Sequence, residues 1–264
     1  MTADLPTRVW ARGGARPLLA LHCSLAHGGA WAGVAAHLQG VTVTAPDLPG
    51  HGRAADWDGL QDMHAQSTRS VAALAQRLGQ GAPIDLMGHS FGGTICLRLA
   101  VERPDLVRSL ILVEPVLFAA AAGTPAYTAL RALHAEIARI LQADPARAAA
   151  MFHAEWGSGE ALDDLPQRQR AYIIERIRLI PAVNPVLMDD AAGLLRPGVL
   201  EGVTVPATLI DGGASPPVID AIQSALIARL PQTTRLTVPG AGHMVPITHP
   251  QPVAGAIQTH LSRS

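Results

Sequence analysis

Residues 84–102 read as an apolar run, a serine flanked by glycines and a helix-like stretch, with nothing to spare between them. Residues 84–87, Ile-Asp-Leu-Met, have the look of a short buried strand, and residues 91–102 carry apolar positions at helical spacing. Between them Gly88-His89-Ser90-Phe91-Gly92 fits the pattern G-x-S-x-G. A serine on so tight a strand-to-helix turn is held in a strained backbone conformation with its hydroxyl exposed. The glycines two positions before and after it are needed because a Cβ there would collide with the neighbouring strand or helix. Ser90 is therefore a candidate nucleophile, and the helix behind it offers backbone N–H groups to an oxyanion. The bland alternative is a glycine-rich turn, and the surrounding sequence decides between the two.

Short apolar runs alternate with helix-length amphipathic segments, the pattern of a parallel sheet covered on both faces. Strands are expected at 18–23, 41–45, 84–87, 107–114, 207–211 and 234–238. A further N-terminal strand is expected around 7–11, turning at Gly13-Gly14. Helices are expected at 30–38, 64–78, 91–102, 217–229 and 252–261. Residues 118–202 break this rhythm: they are Ala-rich and helix-like at 127–142, 145–156 and 167–180, and show no strand pattern. The reading is an α/β fold whose mostly parallel central sheet is flanked by helices. Residues 1–117 and 203–264 form the core and 118–202 a helical cap.

Charge narrows the choice of partners. Twenty basic residues, every one an arginine, face 21 acidic ones, and no basic block occurs. Nothing points to nucleic acid or to an anionic membrane surface. The most apolar segment, 110–122, is interrupted by Glu114 and Pro115 and is too short to span a bilayer. The N-terminal stretch lacks a basic start followed by an apolar run, so a cytoplasmic chain with a small-molecule substrate is expected. Cys23 and Cys96 are expected as free thiols, and no His/Cys cluster has metal-ligand spacing. Oligomeric state is open.

In a parallel sheet, functional residues gather beyond the carboxyl ends of the strands. Besides Ser90, that rule singles out His22-Cys23-Ser24, Glu114 and Gly240-Ala241-Gly242-His243-Met244. With LHCSLAHGGAW (21–31), APDLPGHGRA (45–54), GHSFGG (88–93) and GAGHMVPITHP (240–250) in this order, the chain resembles the α/β-hydrolase superfamily over nearly its whole length. It is most similar to the capped branch that holds small esterases, lactonases and carbon–carbon bond hydrolases. The resemblance implies Ser90 as nucleophile and His243 as general base, a role that suits imidazole because its ordinary pKa lies near neutrality. It also implies an oxyanion hole from the N–H of Phe91 and one from the loop after the first long strand, assigned to Ser24. That loop departs from the common His-Gly-x in carrying Cys23. His51 and His249 are read as loop braces, and His22 and His89 as shaping the site without transferring protons.

The third member departs from the common pattern. Many relatives place an Asp in a G-x-x-D stretch after the next-to-last strand, where this chain has Gly212-Gly213-Ala214-Ser215. Glu114, ending the strand after the serine helix, is favoured as a replacement; some haloalkane dehalogenases of this fold carry their acid there. Asp211 and a Ser–His dyad without an acid stay open. The expected reaction is acyl transfer from an ester, lactone or related carbonyl substrate to water, with no cofactor and no metal. A serine nucleophile argues against dehalogenase and epoxide hydrolase chemistry. The alternatives are a cofactor-free carbon–carbon hydrolase of a diketone and a non-hydrolytic sensor of the same fold. Trp31, Phe118, Phe152, Trp156 and Met244 are candidate pocket walls. Arg176 and Arg178 are read as solvent-facing, with an anionic substrate as the alternative.

Overall fold

The computed structural model describes residues 4–264; the first three residues of the expected core segment lie outside it. Six strands form one sheet: β1 (Thr7–Leu21), β2 (Val41–Pro46), β3 (Ile84–His89), β4 (Val107–Val113), β5 (Ala207–Gly212) and β6 (Thr233–Val238), in the order β2-β1-β3-β4-β5-β6. From β1 through β6 each neighbour runs parallel. The first strand is a folded one. Thr7 to Arg12 pairs antiparallel with β2, from Thr7↔Pro46 to Arg12↔Val41, whereas Arg16↔Val41 to Leu19↔Thr44 advances in the same direction along both strands. The reversal falls at Gly13, whose φ of +79° suits glycine, and Gly14, where a Cβ would strike the backbone of Gly40. The N-terminal strand expected at 7–11 is thus present, fused to the next.

Helices cover both faces. Leu86, Leu112 and Leu209 pack with Phe91, Ile95 and Leu99 of α3 (Phe91–Glu102) and with Val71 and Leu74 of α2 (Met63–Gly79). Met87, Ile111 and Ile210 alternate to the other face and meet α1 (Ala32–His37) through Val34. That alternation is the period-2 consequence of a pleated strand buried on both sides.

Four helices and no strand fill the insertion between β4 and β5: α4 (Pro125–Ile140), α5 (Pro145–Trp156), α6 (Gln167–Arg176) and α7 (Leu179–Leu187). They share a small apolar cluster of their own, including Ile137, Ile140, Ala148, Ile173 and Ile180. The helix expected over 167–180 is two helices. Pro181 has no N–H to give Ile177, so it sits in the first turn of a new helix, where that donor has no partner to lose. After β5 the chain forms α8 (Pro217–Ile227), and after β6 a short α9 (Val245–Thr248) and α10 (Pro250–Leu261), which packs on α1's face through Val253 and Ile257. Among the described residues no helix is long and apolar enough to cross a membrane.

Candidate active site

Ser90 stands at the turn between β3 and α3 with φ +55° and ψ −117°, a conformation that L-residues rarely adopt. Its N–H is held by the Val113 carbonyl at 2.9 Å. The flanking glycines are obligatory: a Cβ on Gly88 would strike the Gly92 carbonyl, and one on Gly92 would lie 2.5 Å from that of Leu21. Strain of this kind persists only where surrounding structure over-determines it.

His243, in the loop between β6 and α9, points Nε2 at Ser90 Oγ across 3.0 Å. Its Nδ1 lies 2.5 Å from Glu114 Oε2. Glu114 follows β4 directly, at φ +45°, and is fully buried. Its other oxygen accepts from the Gly212 N–H at 2.7 Å and from the Ser215 hydroxyl. Burial alone would raise this carboxyl's pKa, but the hydrogen bond and charge of His243, with the donors Ser215 and Gly212, hold it below the ordinary range. An ionised carboxylate can only accept, so His243 carries its proton on Nδ1. Nε2 then presents a lone pair to the Ser90 hydroxyl.

Asp211 is engaged elsewhere. It accepts from Arg235 Nε and Nη2 at 2.7 and 3.0 Å and from the Thr237 hydroxyl at 3.1 Å. Ser215, occupying the position where an Asp is common, supports Glu114 in its place.

The loop after β1 is pinned by His22. Its Nδ1 donates to the Cys23 carbonyl at 2.7 Å, and Nε2 accepts from the Leu48 N–H at 3.0 Å. Burial, then the neighbouring His51, pushes its pKa down to about 3, so the ring stays neutral. Among the described residues the N–H groups of Ser24 and Phe91 have no hydrogen-bond partner. Cys23 is buried and burial pushes its thiol up to about 12, which removes it as a nucleophile. His89 donates from Nε2 to the His243 carbonyl at 2.9 Å and is also held neutral, at about 3, by burial and by His243. His51 braces its loop through the Pro49 carbonyl and His249 bonds the Thr248 hydroxyl. Asp47 ties the loops together, accepting from Arg8, the Gly28 N–H and the Arg53 N–H.

Two cavities adjoin this constellation. An inner one of about 20 Å³ is lined by Ser24, Ser90 and His243 together with Phe118, Phe152 and Trp156. An outer cleft of about 520 Å³ shares Ser24, Phe152 and Trp156 with it and adds Met244, Ile247, Tyr172 and Arg168. The Trp156 ring lies edge-on to His243, centroids 4.7 Å apart. Phe118, Phe152, Trp156 and Met244 thus line these cavities. Trp31 lines neither: it is 1% exposed and packs beneath the sheet with α1, because its short helix turns the indole inward. Arg178 is held by Asp56, and Arg176 lies 4.0 Å from the Tyr172 ring; neither lines either of these two cavities. Sequence reading missed Tyr172, which donates to the Ala26 carbonyl and accepts from the Gly52 N–H, both at 2.7 Å. It missed His134 and Asn184 in the inner cavity as well. A polar residue on an Ala-rich helix offers no motif by which to find it.

A six-stranded, mostly parallel sheet covered by helices on both faces, with a serine, a histidine and a buried acid hydrogen-bonded together at its carboxyl edge, has the architecture of the alpha/beta hydrolases. The sequence pattern of the alpha/beta hydrolase family matches residues 18–256, and the chain belongs to that family. It is a hydrolase of the carboxylic-ester-hydrolase kind. It is 31% identical to lipase LipV of Mycobacterium tuberculosis, over 99% of both chains. It is 27% identical to the pimeloyl-[acyl-carrier protein] methyl ester esterase of Yersinia pseudotuberculosis, over 80% of this chain and 79% of that one. A thermophilic esterase from Thermogutta terrifontis shares the fold, with TM-score 0.73 at 22% identity over 97% and 93% of the two chains.

Proposed function

We propose that the chain cleaves a small carboxylic ester by a Ser90–His243–Glu114 triad and an acyl-enzyme. The single observation that carries this is the unbroken chain of hydrogen bonds from Ser90 Oγ through both nitrogens of His243 to Glu114. Ser90 attacks the ester carbonyl as its proton passes to His243 Nε2. The imidazolium so formed is stabilised by Glu114, and the tetrahedral oxyanion takes the free N–H groups of Ser24 and Phe91. His243 then returns the proton to the departing alcohol, and a water repeats the sequence to release the acid. The helical insertion 118–202 acts as a cap over residues 1–117 and 203–264, excluding bulk water from the inner cavity. The reading is supported by the esterase names of the relatives, and by a serine rather than a carboxylate at the nucleophile position.

The test is labelling by a fluorophosphonate probe, with Ser90→Ala as control, followed by turnover of ester, lactone and diketone substrates. Rapid labelling that needs Ser90, with alcohol released from esters, is the expected result. Folded protein that neither labels nor turns over an ester overturns the proposal; release of a carboxylic acid and a ketone from a diketone alone would replace it by carbon–carbon hydrolysis.

A further inference from the structure

The segment that carries the Ser24 N–H is gripped from two sides. On the core side, His22 fixes the Cys23 carbonyl and Asp47 fixes the Gly28 N–H. Between those anchors, among the described residues, the core supplies only a long turn bond, from the Ala26 N–H to the Cys23 carbonyl at 3.4 Å. Leu25, directly after Ser24, stands at φ +59°, where a bulky side chain is strained. Such a conformation persists only when its surroundings impose it. The helical insertion imposes it at two points. Leu25 packs against the insertion's own apolar cluster, whose other members all fall within residues 133–180. The Tyr172 hydroxyl of α6 donates to the Ala26 carbonyl and accepts from the Gly52 N–H, both at 2.7 Å, which clamps this loop to the one after β2. Arg176, 4.0 Å from the ring centroid, and an edge contact with His27 hold the phenol in place. Burial raises its pKa, so the hydroxyl keeps the proton that it donates.

We propose that Tyr172 and Leu25 are positioning residues for the oxyanion hole: through them the insertion, and not the core, sets where the Ser24 N–H points. The inference rests on the esterase reading. Its consequence is selective. An N–H displaced by about 1 Å still lets an ester dock, but no longer meets the oxygen on which charge develops. Loss of either grip therefore acts on the tetrahedral stage and leaves ground-state binding nearly as it was.

The test uses benzyl trifluoromethyl ketone, and the alcohol made by reducing it, as competitive inhibitors of phenyl acetate hydrolysis. Ser90 Oγ adds to the ketone carbon, its proton passes to His243, and the former carbonyl oxygen becomes the oxyanion. The alcohol fills the same space without forming one. Tyr172→Phe and Leu25→Ala are each expected to lower kcat/KM about tenfold or more and to weaken the ketone by the same factor, with the alcohol's Ki within about twofold of wild type. If one variant fails to fold, the other decides. Arg178→Ala, which severs the insertion from Asp56 rather than from this loop, is expected to leave the ketone-to-alcohol ratio of Ki unchanged. A merely structural role would weaken both inhibitors together and leave that ratio alone. An unchanged ratio in Tyr172→Phe and Leu25→Ala, or an equal loss in Arg178→Ala, overturns the positioning role and leaves the esterase standing. Absence of Ser90-dependent turnover on every ester overturns both.

Discussion

Glu114 and His243 are 129 residues apart in sequence and 2.5 Å apart in space, joined Oε2 to Nδ1. β4 and the loop after β6 lie on either side of β5, so an acid leaving the end of β4 must cross one strand width to reach the histidine. Glutamate has the extra methylene to do so. Glu114→Gln should keep the fold and reduce kcat by about 10³–10⁴, because an amide cannot stabilise the imidazolium. Asp211→Asn should leave kcat within about twofold. Steady-state kinetics on one ester, with circular dichroism of both variants, checks the ranking; the reverse order would move the acid to Asp211.

Ser215 donates to Glu114 from the position where relatives carry an Asp. Glu114→Gln combined with Ser215→Asp should therefore recover about tenfold or more of the kcat lost in Glu114→Gln alone. Ser215→Asp by itself should lower activity, since two carboxylates at hydrogen-bond distance cannot both ionise easily. Failure of the double variant to exceed the single one in kcat would mean that position 215 does not reach His243.

Ser90 stores backbone strain at φ +55°. Ser90→Gly should abolish turnover and raise stability by about 1 kcal/mol, seen as a melting temperature about 2–4 °C higher. Ser90→Ala should be equally inactive without that gain, because alanine keeps the Cβ. Equal melting temperatures for the two would contradict the strain.

Acid should destabilise the fold well above the carboxylate range. Burial, before any neighbouring charge, pushes His22, His64 and His89 down to about 3 and His51 to about 4, from the ordinary 6.5. The unfolded chain takes up these protons near 6.5 and the folded chain does not, so the unfolded state binds more protons between 6.5 and about 3–4. Stability is complete above 6.5 and falls as pH drops through that window, by about 1.4 kcal/mol per pH unit for each such histidine. Urea midpoints at pH 8, 7.5 and 5.5 should be nearly equal for the first two and sharply lower for the third.

Leu187 is buried and lines the inner cavity. Leu187→Ala should lengthen the acyl chain the enzyme prefers and cost about 2–3 kcal/mol in stability. A p-nitrophenyl ester series read alongside a melting curve separates the two effects; an unchanged chain-length optimum would place the acyl group elsewhere.

Local patterns carried much of this protein. Helix α3 runs over Phe91–Glu102 and α5 over Pro145–Trp156, as periodicity alone predicts, because each begins at a sharp signal: the serine turn in one case, Asp144 and Pro145 in the other. The N-terminal turn was legible in Gly13-Gly14, and Ser90 and His243 in glycine-rich motifs, since only glycine tolerates those backbone paths. The split between α6 and α7 was less so, because Pro181 announces a helix start only once the register is known.

Sequence by itself determined the strand–turn–helix at Ser90, the alternation that builds a mostly parallel sheet, and the short set of acids that could face His243. Only the tertiary structure put Glu114 beside His243 and Asp211 against Arg235, turned Trp31 into the core, and set His134 against Asn184. The physical reason is range. Turn geometry and periodicity are properties of neighbouring residues, whereas the partner of a buried polar group is settled by which strands and helices pack together, and β4, β5 and the loop after β6 meet only in the folded chain.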